Sequence, residues 1–214
     1  MTPSTRDRAL DAALVSFAAR GYEATSLDDV AVEVGVSKQA VLYYFKTKPA
    51  LLDAVVDRSA DELSAALEAA LVRAGQGWDR VEAVVRSVFR LALRRPELLG
   101  LLREVSRLGP PAAPRLMAAL DPLVQRAREF LEIEMAAGRM RATDSRLLLL
   151  SAYSTVIGMA TEVEVLRALG EEPTLRSLAR RRRELLDFLH SALAAPPPRF
   201  DGPAVTAVPA PVAP

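Results

Sequence analysis

LDDVAVEVGVSKQAVLYYFK, residues 27–46, is the stretch that decides the fold. Leu27, Val30, Ala31 and Val34 fall at the i, i+3, i+4, i+7 spacing of an amphipathic helix. Ser26 stands at its N-cap, and Asp29 three residues on completes a capping-box pair. Gly35 supplies the residue that tolerates positive φ where that helix must end. Val36 reads as a buried turn residue, and Ser37 caps a second short helix over 38–45, with Val41 and Phe45 turned inward. Two short helices joined by a three-residue, glycine-containing turn form a helix-turn-helix, in which the first helix braces the second for entry into the DNA major groove.

In that geometry Lys38, Gln39, Ala40, Tyr43 and Tyr44 face outward, while Leu42 is open between a thymine methyl and local packing. Tyr43, Tyr44 and Phe45 read two ways: a core cluster under the following helix, or Phe45 in the core with at least one tyrosine on DNA. The helix starts at Ser26 and Thr47 offer free N–H groups that suit phosphates. Lys48 sits in a first helical turn, where a cation is slightly unfavourable, and a phosphate contact accounts for it.

Working outward, residues 5–20 carry Leu10, Leu14, Phe17 and Ala18 on one face and stop at Gly21. Beyond Thr47 and Pro49 a long helix runs through Leu51, Leu52, Val55, Leu63, Leu67 and Leu71 to Gly75. Further helices are predicted at about 78–94, 96–108, 114–137, 145–169 and 174–194, punctuated by Pro96, Gly109 with Pro110 and Pro111, Gly138, and Gly170 with Pro173. No segment alternates as a strand would, so the fold class is all-α. The apolar stretch 147–160 is too short to span a bilayer, which takes about 20 residues, and reads as a buried helix. Residues 196–214 hold seven prolines in nineteen positions and read as a disordered Pro/Ala-rich tail.

Composition excludes more than it selects. There is no cysteine and one histidine, His190, which removes thiolate chemistry, disulfides and His-rich metal sites. No phosphate-cradling glycine loop, nucleophile elbow or histidine-based acid–base set is present, so the chain is not expected to be an enzyme, nor to need a cofactor or metal. Net charge is +1, yet the three lysines, Lys38, Lys46 and Lys48, all lie within eleven residues and mark one anion-facing segment. The start carries no apolar signal region, and a cytoplasmic protein without membrane contact is expected.

Residues 9–56, ALDAALVSFAARGYEATSLDDVAVEVGVSKQAVLYYFKTKPALLDAVV, resemble the N-terminal domain of the TetR family of regulators. The resemblance rests on Ala12, Ala13 and Phe17, the Gly21–Tyr22 turn, Thr25–Ser26, Val30–Ala31, Gly35–Val36–Ser37, Tyr43, Phe45, Lys48 and Leu51–Leu52. It implies about nine helices in two parts: a helix-turn-helix domain over 1–50, and a helical ligand-sensing and dimerisation domain over 51–195. It further implies a homodimer through the last two helices, about 145–169 and 174–194, on a palindromic double-stranded DNA operator. The implied function is that of a repressor released by a small, mostly apolar effector. Thr25, Ser26, Tyr43 and Lys48 correspond to phosphate contacts, and Lys38, Gln39, Ala40 and Tyr44 to groove-facing positions. Ala40, Leu42 and Tyr44 depart from the family's frequent residues, so the operator sequence does not carry over.

Past this segment the signals thin out. Phe89, Leu102, Met117 and Tyr153 are candidate effector-pocket walls, although ordinary core packing explains each equally well. Residues 180–183, four arginines, read as a solvated helix face pairing with Glu162, Glu164, Glu171 or Glu172. Trp78 is expected to pack at a helix start and His190 to be structural or exposed. The competing class is a helical interaction protein that has lost DNA binding, against which the lysines and Tyr43 argue.

Overall fold

The structure is a computed structural model that describes residues 3–195. The predicted tail at 196–214 and the first two residues lie outside the described residues. Ten α-helices make up the regular structure of the described residues: α1 (Thr5–Arg20), α2 (Leu27–Val34), α3 (Lys38–Tyr44), α4 (Lys48–Val72), α5 (Trp78–Arg94), α6 (Pro96–Leu108), α7 (Ala112–Ala136), α8 (Ser145–Thr161), α9 (Val163–Ala168) and α10 (Leu175–Leu193). The all-α reading holds. No helix among the described residues is long and apolar enough to cross a membrane.

Local chemistry sets the helix boundaries. The hydroxyls of Ser4, Ser37, Thr47 and Thr174 each accept a backbone N–H three residues on, at the starts of α1, α3, α4 and α10. At α2 the capping box is complete: Ser26 accepts from the Asp29 N–H, and the Asp29 carboxylate accepts from the Ser26 N–H. Gly35 ends α2 in the left-handed conformation, φ 73°, which costs a residue with a Cβ roughly 1–2 kcal/mol.

One hydrophobic cluster runs through the molecule. It joins Leu10, Leu14, Phe17, Val30, Val41 and Phe45 of the first three helices to Leu51, Val55 and Val56 of α4, and on to Phe89, Leu99, Leu116, Ile157 and Leu185. The predicted division at 50/51 falls inside α4, whose 25 residues run about 37 Å without interruption. Its first turns pack against α1, and its length packs against α5 and α7. Ion pairs tie α4 to these neighbours: Arg58 to Asp11 of α1, Arg115 of α7 to Asp57, and Arg126 of α7 to Glu68.

The predicted helix 145–169 is two helices. The chain breaks at Glu162, four residues beyond Gly158, and resumes as α9. The carbonyl of Met159, which an uninterrupted helix would offer to Val163, instead accepts a hydrogen bond from Arg181 of α10. Arg181 is therefore buried between helices and does not belong to a solvated face with its neighbours. Arg180 pairs with Glu171 of its own chain. Trp78 packs partly buried at the start of α5, edge-on to the exposed His190 ring at 4.8 Å.

Candidate nucleic-acid interface

α3 is anchored from below and bare above. Val41 is wholly buried and Phe45 nearly so, which fixes the roll of the helix about its axis. Lys38, Gln39, Tyr43 and Tyr44 are thereby turned to solvent, with Ala40 and Leu42 at the margins. Tyr43 is 72% exposed and Tyr44 42%; their rings meet edge to face at 5.1 Å. Phe45 is thus the core member of that aromatic trio, and both tyrosines lie outside the core. Large apolar surface is normally withdrawn from water, so this exposed aromatic pair is a candidate contact surface.

The chain's three lysines all lie on or beside this helix-turn-helix. Lys46 lies over the Tyr43 ring, 5.6 Å from its centre, an exposed lysine that belongs with the site. Lys38 pairs with Asp28 at 2.6 Å, both side chains well exposed, so water screens the pair and a phosphate can displace the carboxylate. Lys48, in the first turn of α4, lies over the Tyr22 ring at 4.2 Å and donates from Nζ to the Glu23 carbonyl at 3.2 Å.

The corner between α1 and α2 holds the remaining predicted contacts. Ser26 is exposed, but its hydroxyl and N–H are both engaged with Asp29. That pairing keeps the Asp29 carboxyl below its ordinary value, the Ser26 N–H acting first and the hydroxyl second. Thr25 corrects the sequence reading. It is 1% exposed and its hydroxyl donates to the Gly21 carbonyl at 3.0 Å, so its side chain tethers the corner and does not face a phosphate.

The predicted effector walls are not brought together. Phe89 and Leu102 are core residues, whereas Met117 and Tyr153 are exposed, so these last two cannot wall an enclosed pocket within one chain. Two open grooves are present among the described residues; one of about 400 Å³ runs between α5 and α10, lined by Trp78, Arg86, Arg182, Arg183 and His190 among others. The second, about 430 Å³, runs between α4 and α5 over a floor of alanines bordered by Arg73, Arg90 and Arg94. None of the four predicted walls lines either groove.

Glu104 of α6 escaped the sequence reading altogether. Its carboxylate, with a side chain 10% exposed, accepts the Tyr22 N–H at 2.6 Å and pairs with Arg107 at 2.8 Å. The Arg107 guanidinium, and secondarily the Tyr22 N–H, hold the Glu104 carboxyl below the usual range despite its burial. One signal was present in the sequence: Gly100 lies amid the leucines of α6, and a glycine there marks a close helix approach. A Cβ at Gly100 would stand 3.0 Å from the Ala18 Cβ of α1.

Comparison with known proteins bears on the same segment. The family described as "Bacterial regulatory proteins, tetR family" matches residues 9–55. The activator FasR of Mycolicibacterium smegmatis is 34% identical over 84 residues, 39% of this chain and 38% of that one. The negative regulator IcaR of Staphylococcus aureus is 32% identical over 59 residues, 28% of this chain and 32% of that one. The chain thus spans about a third of the length of these relatives. A protein from Saccharomonospora viridis, solved in complex with choline, shares the fold over 88% of this chain and 97% of its own, with a TM-score of 0.72 at 21% identity. Residues 9–55 thus match the N-terminal domain of the TetR family, and beyond that segment the chain is similar to the solved neighbour in fold alone.

Proposed function

We propose that this chain is a homodimeric, ligand-responsive transcriptional repressor. In this reading residues 1–50 read DNA and residues 51–195 sense an effector and dimerise. The observation that carries it is the exposure of Gln39, Tyr43 and Tyr44 on a helix whose opposite face is locked by Val41 and Phe45, with Lys46 over the Tyr43 ring and Lys38 exposed at the start of the same helix. Gln39 and Tyr44 meet base edges in the major groove. Lys48, Lys38, Tyr43 and the N-terminus of α2 at Ser26 meet phosphates and set the register. One such helix covers only a few base pairs, so a two-fold dimer on a palindromic operator supplies the rest.

Support for the dimer comes from α8. Leu147 is 62% exposed and Leu150 60%, with Ser151 and Ser154 on the same side, an apolar face that a lone chain leaves in water. Phe188 of α10 is also exposed. A second copy of the chain covers this face.

FasR is named an activator and IcaR a negative regulator, and repression is the reading adopted. The effector is a small, mostly apolar molecule. A gel shift on DNA from upstream of the chain's own coding region tests the central claim, and a reporter behind that DNA tests its sign. No shift, or a reporter that rises with the protein, rejects the respective part. A thermal-shift screen of apolar compounds, followed by release of bound DNA, tests the effector.

A further inference from the structure

We propose that Glu104 is a positioning residue for DNA binding: from the bundle it holds the α1–α2 corner that presents Lys48. The proposal rests on the reading of Lys48 as a phosphate contact. Every link is short. Glu104 accepts the N–H of Tyr22 at 2.6 Å, and the ring of that same Tyr22 lies under the Lys48 ammonium at 4.2 Å. Lys48 also donates to the carbonyl of Glu23, the next residue of the corner.

The corner has no regular hydrogen-bonded ladder of its own. Gly21 ends α1 at φ 88°, its carbonyl receives the Thr25 hydroxyl, and the Tyr22 carbonyl receives the Thr25 N–H at 3.2 Å. The Tyr22 ring packs edge-on to Phe17 at 5.4 Å, and the Tyr22 backbone is tied to α6 by Glu104, itself braced by two hydrogen bonds from Arg107 at 2.8 Å. A charged acceptor on a sheltered N–H is among the stronger hydrogen bonds available. Gly100 lets α6 approach α1 closely enough for that reach.

Two routes therefore lead from the bundle to the same ammonium. α4 carries the Lys48 backbone, and α6, through Glu104, carries the surface on which the ammonium rests.

The experiment measures binding of a short fluorescent duplex of mixed sequence across a range of salt, since a phosphate contact needs no operator. Lys48→Ala is expected to weaken binding roughly five- to tenfold near 0.1 M salt and to lower the salt slope by about one unit. Glu104→Ala should weaken binding about threefold and move the slope toward the Lys48→Ala value. The double variant should bind as Lys48→Ala alone does, because the two act on one contact. Glu104→Gln, which keeps an oxygen acceptor, should stay within about twofold of the parent.

Parental affinity and slope in a folded Glu104→Ala, or a double variant whose losses multiply, overturns the proposal. Should Glu104→Ala fail to fold, Arg107→Ala is read instead: a lowered slope supports the link and a parental slope overturns it. An unchanged slope in Lys48→Ala is a separate outcome, which removes the underlying interface reading and this proposal with it.

Discussion

Arg181 of α10 donates through Nη1 to the carbonyl of Met159 near the end of α8, and both lie where the two helices pack together. Among the described residues no carboxylate comes within ion-pair distance of this buried guanidinium, and its Nε has no partner. Desolvation lowers its pKa, and the nearby Glu171 only partly offsets that. Its stabilising role is to cap a helix end whose carbonyls carry partial negative charge.

Arg181→Ala removes that cap and leaves a void, and should cost about 2–3 kcal/mol in denaturant unfolding. Arg181→Met keeps most of the volume and avoids burying a charge, so it should cost less than about 1 kcal/mol. Equal losses in the two variants would show that the hydrogen bond, and not the packing, dominates.

The capping box at α2 gives a prediction in pH. Asp29 has a folded pKa below its ordinary 3.8, so its contribution is present above that value and disappears as the pH falls through the lowered one. Asp29→Asn should therefore be less stable than the parent at neutral pH, with the gap closing in strong acid. Ser26→Ala, which removes the other half of the box, should cost about 1 kcal/mol at neutral pH. A gap for Asp29→Asn that widens on acidification contradicts this assignment.

Dimerisation is tested on α8. A leucine buried fully in an interface contributes about 1.5–3 kcal/mol, and Leu150 would be buried once in each protomer. Leu150→Arg should give a monomer by light scattering, with helicity unchanged by circular dichroism and operator binding lost. A dimer that survives with Leu150→Arg places the interface elsewhere.

Reading and positioning contacts separate on the choice of DNA. Gln39→Ala or Tyr44→Ala should cost on the order of 1–3 kcal/mol on the true operator and much less on random duplex. Lys48→Ala should weaken both similarly. Equal effects of Gln39→Ala on both DNAs would remove α3 from the major groove.

The helix-turn-helix was legible because its signals are local. Ser26 with Asp29, Gly35, and the inward pair Val41 and Phe45 all act within a few residues of one another, where sequence spacing and spatial neighbourhood coincide. What escaped depends on contacts between distant segments. At the break before Glu162 the Met159 carbonyl is taken up by Arg181, twenty-two residues on in the chain. The place of Thr25 depends on a hydroxyl turned back onto Gly21, a choice that composition does not reveal. Met117 and Tyr153 sit in apolar periodic helices, and periodicity alone does not say whether an apolar face meets the chain's own core or an interface.

The continuity of α4 bears on how such proteins can be recombined. Leu51, Leu52, Val55 and Val56 are buried beside the first three helices, yet they belong to the same unbroken helix as Leu63 and Leu67 of the bundle. A graft that joined a foreign head at residue 50 would cut through the first turns of this helix and strip the head of its own floor. The transplantable piece ends past Val56. Even then, whatever bundle receives it must offer an acceptor to the Tyr22 N–H and a small residue opposite Ala18.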